Sequence, residues 1–163
     1  MILLLCCPPP RNAEFVMAQR QQSEKPKSKT LLERLRQRGL QLTAQRRVVA
    51  EVLEGVHVHL TAEQIFDRAA ARLPEISRAT VYNTLNQFRE LGEVREIMLD
   101  ARSKRYDPNS MQCHQHLVCE RCGTVRDVVP HGDLSLPHDQ RYGFAVSAIE
   151  VTFRGLCPEC AQQ

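Results

Sequence analysis

The stretch Ser77-Arg78-Ala79-Thr80-Val81-Tyr82-Asn83-Thr84-Leu85, followed by residues 93–99 and by Lys104-Arg105-Tyr106-Asp107, decides the fold. Ser77 has the position of a helix N-cap, because its hydroxyl can accept from an amide of the first turn. The helix it starts runs to Leu91, where Gly92 stops it. Val81, Leu85 and Phe88 recur at helical spacing and form the stripe to be buried. Residues 93–99 and 104–107 then read as two strands around the turn 100–103. A capped helix followed by a basic hairpin is the ending of a winged helix-turn-helix, in which that helix is the one placed in a DNA groove.

Working upstream, the sequence supplies the shorter helices that such a motif needs. Residues 30–38 form a basic amphipathic segment with Leu31, Leu32 and Leu35 inward, ended by Gly39. Thr43 caps a second helix in which Val48, Val49, Val52 and Leu53 recur at helical spacing, closed by Gly55. Thr61 and Gln64 make a capping box at the start of a helix over 61–72, which Pro74 ends. On or near the exposed face of the helix from Ser77 stand Arg78, Thr80, Tyr82 and Asn83. Asn pairs with adenine and a Tyr ring packs on a thymine methyl, so these are the expected DNA contacts. Helical bundles with a hairpin also serve other ends.

The charge distribution points the same way. The 163 residues carry a net +3, but residues 1–106 hold 18 basic against 12 acidic side chains, a net +6, and residues 107–163 hold 4 against 7, a net −3. The basic half is the expected polyanion binder. Part of that charge, Lys25, Lys27 and Lys29, falls in a polar segment that reads as a disordered, solvated tail. No stretch is long enough to span a bilayer. The apolar opening from Met1 to Cys7 lacks a basic leader and runs into Pro8, Pro9 and Pro10, so it reads neither as a signal peptide nor as a lipoprotein anchor. Met17 is the expected natural start, and a reducing cytoplasm the expected compartment.

Downstream of the hairpin the sequence becomes β-rich, with strand-like runs at 117–119, 125–129 and 144–153 and an insert broken by Pro130 and Pro137 that has room for one short helix. Two Cys-x-x-Cys pairs, Cys119 with Cys122 and Cys157 with Cys160, flank 34 residues. Two such turns supply the four thiolates of a closed structural zinc site, one Zn(II) per chain. Disulfides or buried small hydrophobes account for neither the paired spacing nor the turn-forming Gly123 and Pro158.

A second site follows from strand parity. His114 and His116 are two apart and share a face. If the Cys119 to Cys122 knuckle turns an antiparallel hairpin, 119 faces 122, 116 faces 125 and 114 faces 127, which brings Asp127 beside His114. Two imidazoles and a carboxylate suit a divalent first-row metal. Further ligands are available from His59, although a lone histidine there is more often a surface or capping residue, and from Asp107, although before Pro108 it reads first as an ordinary turn residue. Both belong to the basic half, so a metal held by all of them would fix the angle between the two halves.

Taken together, Leu42-Thr43-Ala44-Gln45-Arg46, His59-Leu60-Thr61-Ala62-Glu63, Ala79-Thr80-Val81-Tyr82-Asn83-Thr84-Leu85, His114-x-His116 running into Cys119-Glu120-Arg121-Cys122-Gly123, and Gly155-Leu156-Cys157-Pro158-Glu159-Cys160 resemble the ferric uptake regulator family of metal-dependent repressors. The resemblance covers residues 30–160 and is closest to the peroxide-sensing branch. It implies an α+β chain: a tail at 1–27, a winged-helix DNA-binding domain at 28–107, and a small α/β metal-binding dimerisation domain with a four-cysteine zinc site at 108–163. It implies a cytoplasmic homodimer and no enzyme, one that binds an AT-rich palindromic operator when metal is loaded, with Arg46 joining the DNA contacts.

The regulatory ion, Fe(II) or Mn(II) and one per chain, would be held by His59, Asp107, His114, His116 and Asp127. In that branch peroxide reacts at the iron, and His59 and His114 match the ligand histidines that are oxidised. Iron-uptake relatives tend to carry glutamate at the positions of Asp107 and Asp127, and zinc sensors a cysteine near Asp107. The spacer from Asp107 to His114 is one residue longer than the family pattern, and Cys113 is an extra thiol. Ala148 and Ile149 stand where relatives carry histidines, so a third metal site is not expected.

Three other readings stay on the page. One is an iron- or zinc-uptake regulator of the same family, and another a zinc-stapled interaction module with no sensing role. The third is a zinc hydrolase or deaminase, which wants a glutamate two residues after its histidine and a following Pro-Cys-x-x-Cys. His57-Val58-His59 and Cys157-Pro158-Glu159-Cys160 fit neither requirement.

Overall fold

The computed structural model describes residues 29–55, 57–99, 103–109, 114–131, 135–147 and 149–162. The expectations placed on residues 1–27, on the turn residues Asp100, Ala101 and Arg102, and on Cys113 and Ala148 lie outside the described residues.

Four helices form as the capping signals require. They are α1 (Leu31–Gln37), α2 (Ala44–Val52), α3 (Ala62–Ala70) and α4 (Arg78–Glu90). Thr30, Thr43, Thr61 and Ser77 each accept a hydrogen bond from the amide three residues on. At Thr30 and Thr61 the capping box is complete, with Glu33 and Gln64 reaching back to the cap amide. Val81, Leu85 and Phe88 are fully buried among Leu35, Val49, Leu53 and Ile65. Each such burial stabilises the fold by about 2 kcal/mol.

The hairpin after α4 is strand β2 (Arg95–Met98) against β3 (Lys104–Asp107). A strand that hydropathy did not reveal, β1 (Leu60–Thr61), pairs with the other edge of β3, giving the order β1-β3-β2. Helices and wing are latched together by Glu93. Its buried carboxylate receives Arg34 at 2.7 Å and Arg38 at 2.8 Å, both from α1 or its end.

The second sheet has the order β5-β4-β6, from β4 (Gln115–Cys119), β5 (Val125–Val128) and β6 (Thr152–Gly155). β4 is antiparallel to β5 and parallel to β6. Of the described residues in the strand expected over 144–153, the last two, Thr152 and Phe153, fall in a strand. The parallel register pairs Thr152–Gly155 with His116–Cys119, Val151 just before it takes the His116 amide on its carbonyl and donates its amide to Gln115 Oε1, and Phe144 and Val146 are exposed. The short helix expected in the insert is the single 3-10 turn His138–Arg141. A last helical turn, α5 (Pro158–Ala161), begins at Cys157 with proline at its first position. The two sheets meet through Ile97 and Leu99 packed on Val118 and Val125.

Two candidate metal centres at the junction of the sheets

Register explains the first site. On the first sheet Leu60 is opposite Tyr106 and Arg95 is opposite Asp107, so the residue before Leu60, His59, falls beside Asp107. A row Arg95, Asp107, His59 therefore crosses the three strands. On the second sheet His116 is opposite Asp127, with His114 two residues earlier on the same face.

The expected pairing of 116 with 125 and 114 with 127 is corrected here: Asp127 faces His116. The reason is the size of the turn. The Cys119 amide donates to the Thr124 carbonyl and the Gly123 amide to the Cys119 carbonyl, so residues 120–123 all lie in the turn and Cys122 is not opposite Cys119. Gly123 permits this with φ +72°. A slip of two residues leaves each side chain on its own face, so Asp127 still joins the histidines.

The two rows converge. One ligand atom from each of His59, His114, His116 and Asp127 lies within 4.8 Å of the others. His59 Nε2 is 2.8 Å from Asp127 Oδ1, and His114 Nε2 is 3.8 Å from the same oxygen. Asp107 stands outside that mutual set but adjoins it, with Oδ2 3.0 Å from His114 Nε2 and 3.9 Å from His116 Nε2, and Oδ1 4.0 Å from His59 Nε2. The rings of His59 and His114 each meet that of His116 edge-on at 5.0 Å.

Three of these residues carry buried polar atoms without a well-formed hydrogen bond, even where His59 Nε2 and Asp127 Oδ1 stand 2.8 Å apart. His59 Nδ1 and Nε2, His116 Nε2 and Asp127 Oδ1 make no aligned hydrogen bond. Buried polar atoms are rarely left so, and imidazole nitrogens converging with a carboxylate oxygen are the donor set of a divalent first-row ion. Their protonation fits too. Burial lowers the pKa of His59, and burial followed by the nearby His59 lowers that of His116 to about 4, so both are neutral ligands at pH 7. Burial alone would raise Asp107. The hydrogen bond with His114 and the Arg95 charge outweigh it and bring Asp107 to about 2.

Three residues that the sequence did not single out hold this site. Asn109 bridges the carboxylates, its amide donating to Asp107 Oδ1 at 2.7 Å and its side chain to Asp127 Oδ2 at 3.0 Å. His57, at the left-handed φ +57°, accepts the Asp127 amide on Nδ1 at 2.9 Å. Arg95 grips Asp107. The alternation His57-x-His59 was a visible signal, whereas Asn109 and Arg95 carried none.

The second site gathers Cys119, Cys122, Cys157 and Cys160, whose sulfurs also lie within 4.8 Å of one another. None is in a disulfide. Cys122 and Cys157 are 3.7 Å apart at sulfur, close to the roughly 3.8 Å edge of a tetrahedron built on 2.3 Å zinc–thiolate bonds. Backbone amides of Cys122 and Cys157 lower the Cys119 thiol to about 6, so one ligand is largely thiolate at neutral pH. Arg121 donates to the Cys160 carbonyl and ties the knuckle to α5.

Of the expected DNA contacts, Tyr82 and Asn83 are exposed on α4. Thr80 shares a hydrogen bond with Ser77, Arg78 pairs with Glu63 and lies over the Phe66 ring, and Arg46 donates to the Gln41 carbonyl.

A winged helix joined to a thiol-bearing sheet through shared imidazoles and carboxylates is the architecture of metal-dependent DNA-binding regulators. The chain belongs to the ferric uptake regulator family, whose model matches residues 37–154. The peroxide-responsive repressor PerR of Staphylococcus aureus (strain Mu50 / ATCC 700699) is 34% identical over 128 residues, which cover 77% of this chain and 86% of that protein. Among solved structures, a zinc-bound manganese uptake regulator superposes with a TM-score of 0.62 at 27% identity, covering 79% of this chain and 99% of the other. The ferric uptake regulator of Vibrio cholerae does so with a TM-score of 0.58 at 28% identity, covering 77% and 98%.

Proposed function

We propose that the chain is a transcriptional repressor that senses peroxide through a regulatory Fe(II), or resides as a peroxide-insensitive form with Mn(II), at His59, Asp107, His114, His116 and Asp127. The observation that carries this reading is that ligand atoms of His59, His114, His116 and Asp127 lie within 4.8 Å of one another, with Asp107 adjoining them, while coming from both halves of the molecule. His59 and Asp107 belong to the winged-helix half, residues 28–107, and the other three to residues 108–163. The similarity to a peroxide-responsive repressor supports the choice of signal.

Fe(II) held there would supply redox chemistry toward peroxide, with ligands drawn from both halves. The chain does the rest. Asn109 and His57 orient the two aspartates, burial keeps His59 and His116 uncharged, and packing of Leu99 on Val118 and Val125 transmits any change in cluster geometry to the wing. Zn(II) at Cys119, Cys122, Cys157 and Cys160, one per chain, closes the second sheet. DNA, an AT-rich palindrome, would meet α4 through Arg78, Thr80, Tyr82 and Asn83 with Arg46 nearby. A second copy would cover the outer face of the second sheet, where Leu117 lies opposite Phe153 and both are exposed.

The test compares retention of an AT-rich inverted repeat by the Fe(II) and Mn(II) forms before and after micromolar peroxide. The Fe(II) form is expected to let go and to gain an oxygen on a peptide containing His59 or His114, while the Mn(II) form holds. Equal retention by both forms removes the peroxide reading. His59→Ala or Asp127→Ala should lose metal-dependent DNA binding and keep zinc. A second reading, an iron-, manganese- or zinc-uptake regulator, is favoured by the manganese uptake regulator among the structural relatives. It is separated by which metal alone restores DNA binding to the chelated protein.

A further inference from the structure

Arg95 is built into the same row as Asp107, and register rather than side-chain reach puts it there: the two residues are directly opposite on β2 and β3. Its Nη2 donates to Asp107 Oδ2 at 2.9 Å and to the Asn109 carbonyl at 3.2 Å. It also lies 3.1 Å from Nε2 and 3.3 Å from Nδ1 of His114. Near-equal distances to both ring nitrogens put the guanidinium nitrogen over the ring face, not on the line of either lone pair. His114 therefore stays able to coordinate, and what Arg95 occupies is the carboxylate.

The oxygen it grips is the one that faces His114 and His116. The other, Oδ1, is held by the Asn109 amide. Asp107 is also the one member of the five that stands outside the mutually close set of ligand atoms. Its side chain is 1% exposed, and a carboxylate buried to that degree needs a countercharge. In the metal-free protein Arg95 is that charge. A divalent ion entering beside it meets a fixed positive charge and a carboxylate already engaged.

Resting on the five-residue site proposed above, we propose that Arg95 is an internal competitor of the regulatory metal: it holds Asp107 in the metal-free protein, and loading must draw that carboxylate away, so Arg95 sets how much free metal the site requires. Arg95 is thus a positioning residue that acts through Asp107.

The test is Mn(II) titration, read by the electron paramagnetic resonance of the free ion, into the full-length zinc-containing protein as wild type, Arg95→Met and Arg95→Lys. Arg95→Met should bind Mn(II) roughly tenfold tighter or more, as expected for removing a unit charge a few ångströms from the ion. Its metal-free form should melt at a lower temperature. Arg95→Lys keeps the charge without the fork and should return toward wild-type affinity. In an Asp107→Asn background the tightening from Arg95→Met should shrink, since the competition runs through that carboxylate. Should Arg95→Met fail to fold, Arg95→Gln, neutral and still a donor, is expected to show the same tightening.

Equal or weaker Mn(II) binding by the neutral variants overturns the competitor role. A wild type that takes up no Mn(II) beyond its zinc, or an Asp127→Ala protein that loads like wild type, overturns the site reading itself. The two failures are therefore distinct.

Discussion

His116 is held at a pKa of about 4 against an ordinary 6.5, with burial as the first cause and His59 as the second. An unfolded chain binds that proton near 6.5 and the folded chain near 4. Between those values the unfolded state holds more protons, and the metal-free fold loses stability as pH falls, by up to about 3 kcal/mol from this residue. Asp107 acts in the same direction at lower pH. Its folded pKa of about 2 lies below the ordinary 3.8, so the stability it supplies is present above 3.8 and lost as pH falls through 2. The expected outcome is a melting temperature for the zinc-containing, regulatory-metal-free protein that falls from about pH 6.5 to about pH 5. His116→Asn should flatten that slope, and a slope unchanged by the substitution would show that another group governs it. The residues of this site were legible unevenly. His114 and His116 stood out by spacing, and Asp127 by parity. Arg95 and Asn109 did not, because Arg95 reaches the site through strand register and Asn109 through its amide bond to Asp107 Oδ1, neither of which a periodicity encodes.

At the scale of elements, the helices were readable because their ends are local chemistry: four Ser or Thr caps and the glycines after them act within one turn. The strands were less so. β1 is two residues long and exists only because β3 offers it an edge, and β4 and β5 were read in a register two residues off because turn size is set by the knuckle's hydrogen bonds rather than by hydropathy. That knuckle gives a sharp prediction. Gly123 has φ +72°, and a Cβ there would lie 3.4 Å from Arg105 Nη2. Gly123→Ala should cost about 1–2 kcal/mol from the left-handed backbone alone. It should also weaken zinc retention in a chelator competition, since Cys122 is carried by the same turn. Wild-type zinc release and melting in that variant would mean that the turn relaxes without disturbing its ligands.

For the whole molecule, the two halves rest on different supports. The helices bury a broad apolar cluster, whereas the second sheet contributes Val118 and Val125 to a small cluster shared with Ile97 and Leu99 of the wing. Stripping the zinc proposed at the four thiols should therefore release amide protection in β4, β5 and β6 while the helical signal in circular dichroism persists. Loss of both together would show that the halves unfold as one unit. The parallel pairing of β4 with β6 adds a consequence in time rather than in stability. Cys119 and Cys122 must find Cys157 and Cys160 across 34 intervening residues, and contacts so distant along the chain form slowly because the loop between them must close first. An ion already seated on the knuckle can catch the second thiol pair whenever the ends meet. Refolding of the second sheet should then quicken with free zinc concentration and level off, while the helices recover at a rate that zinc does not touch.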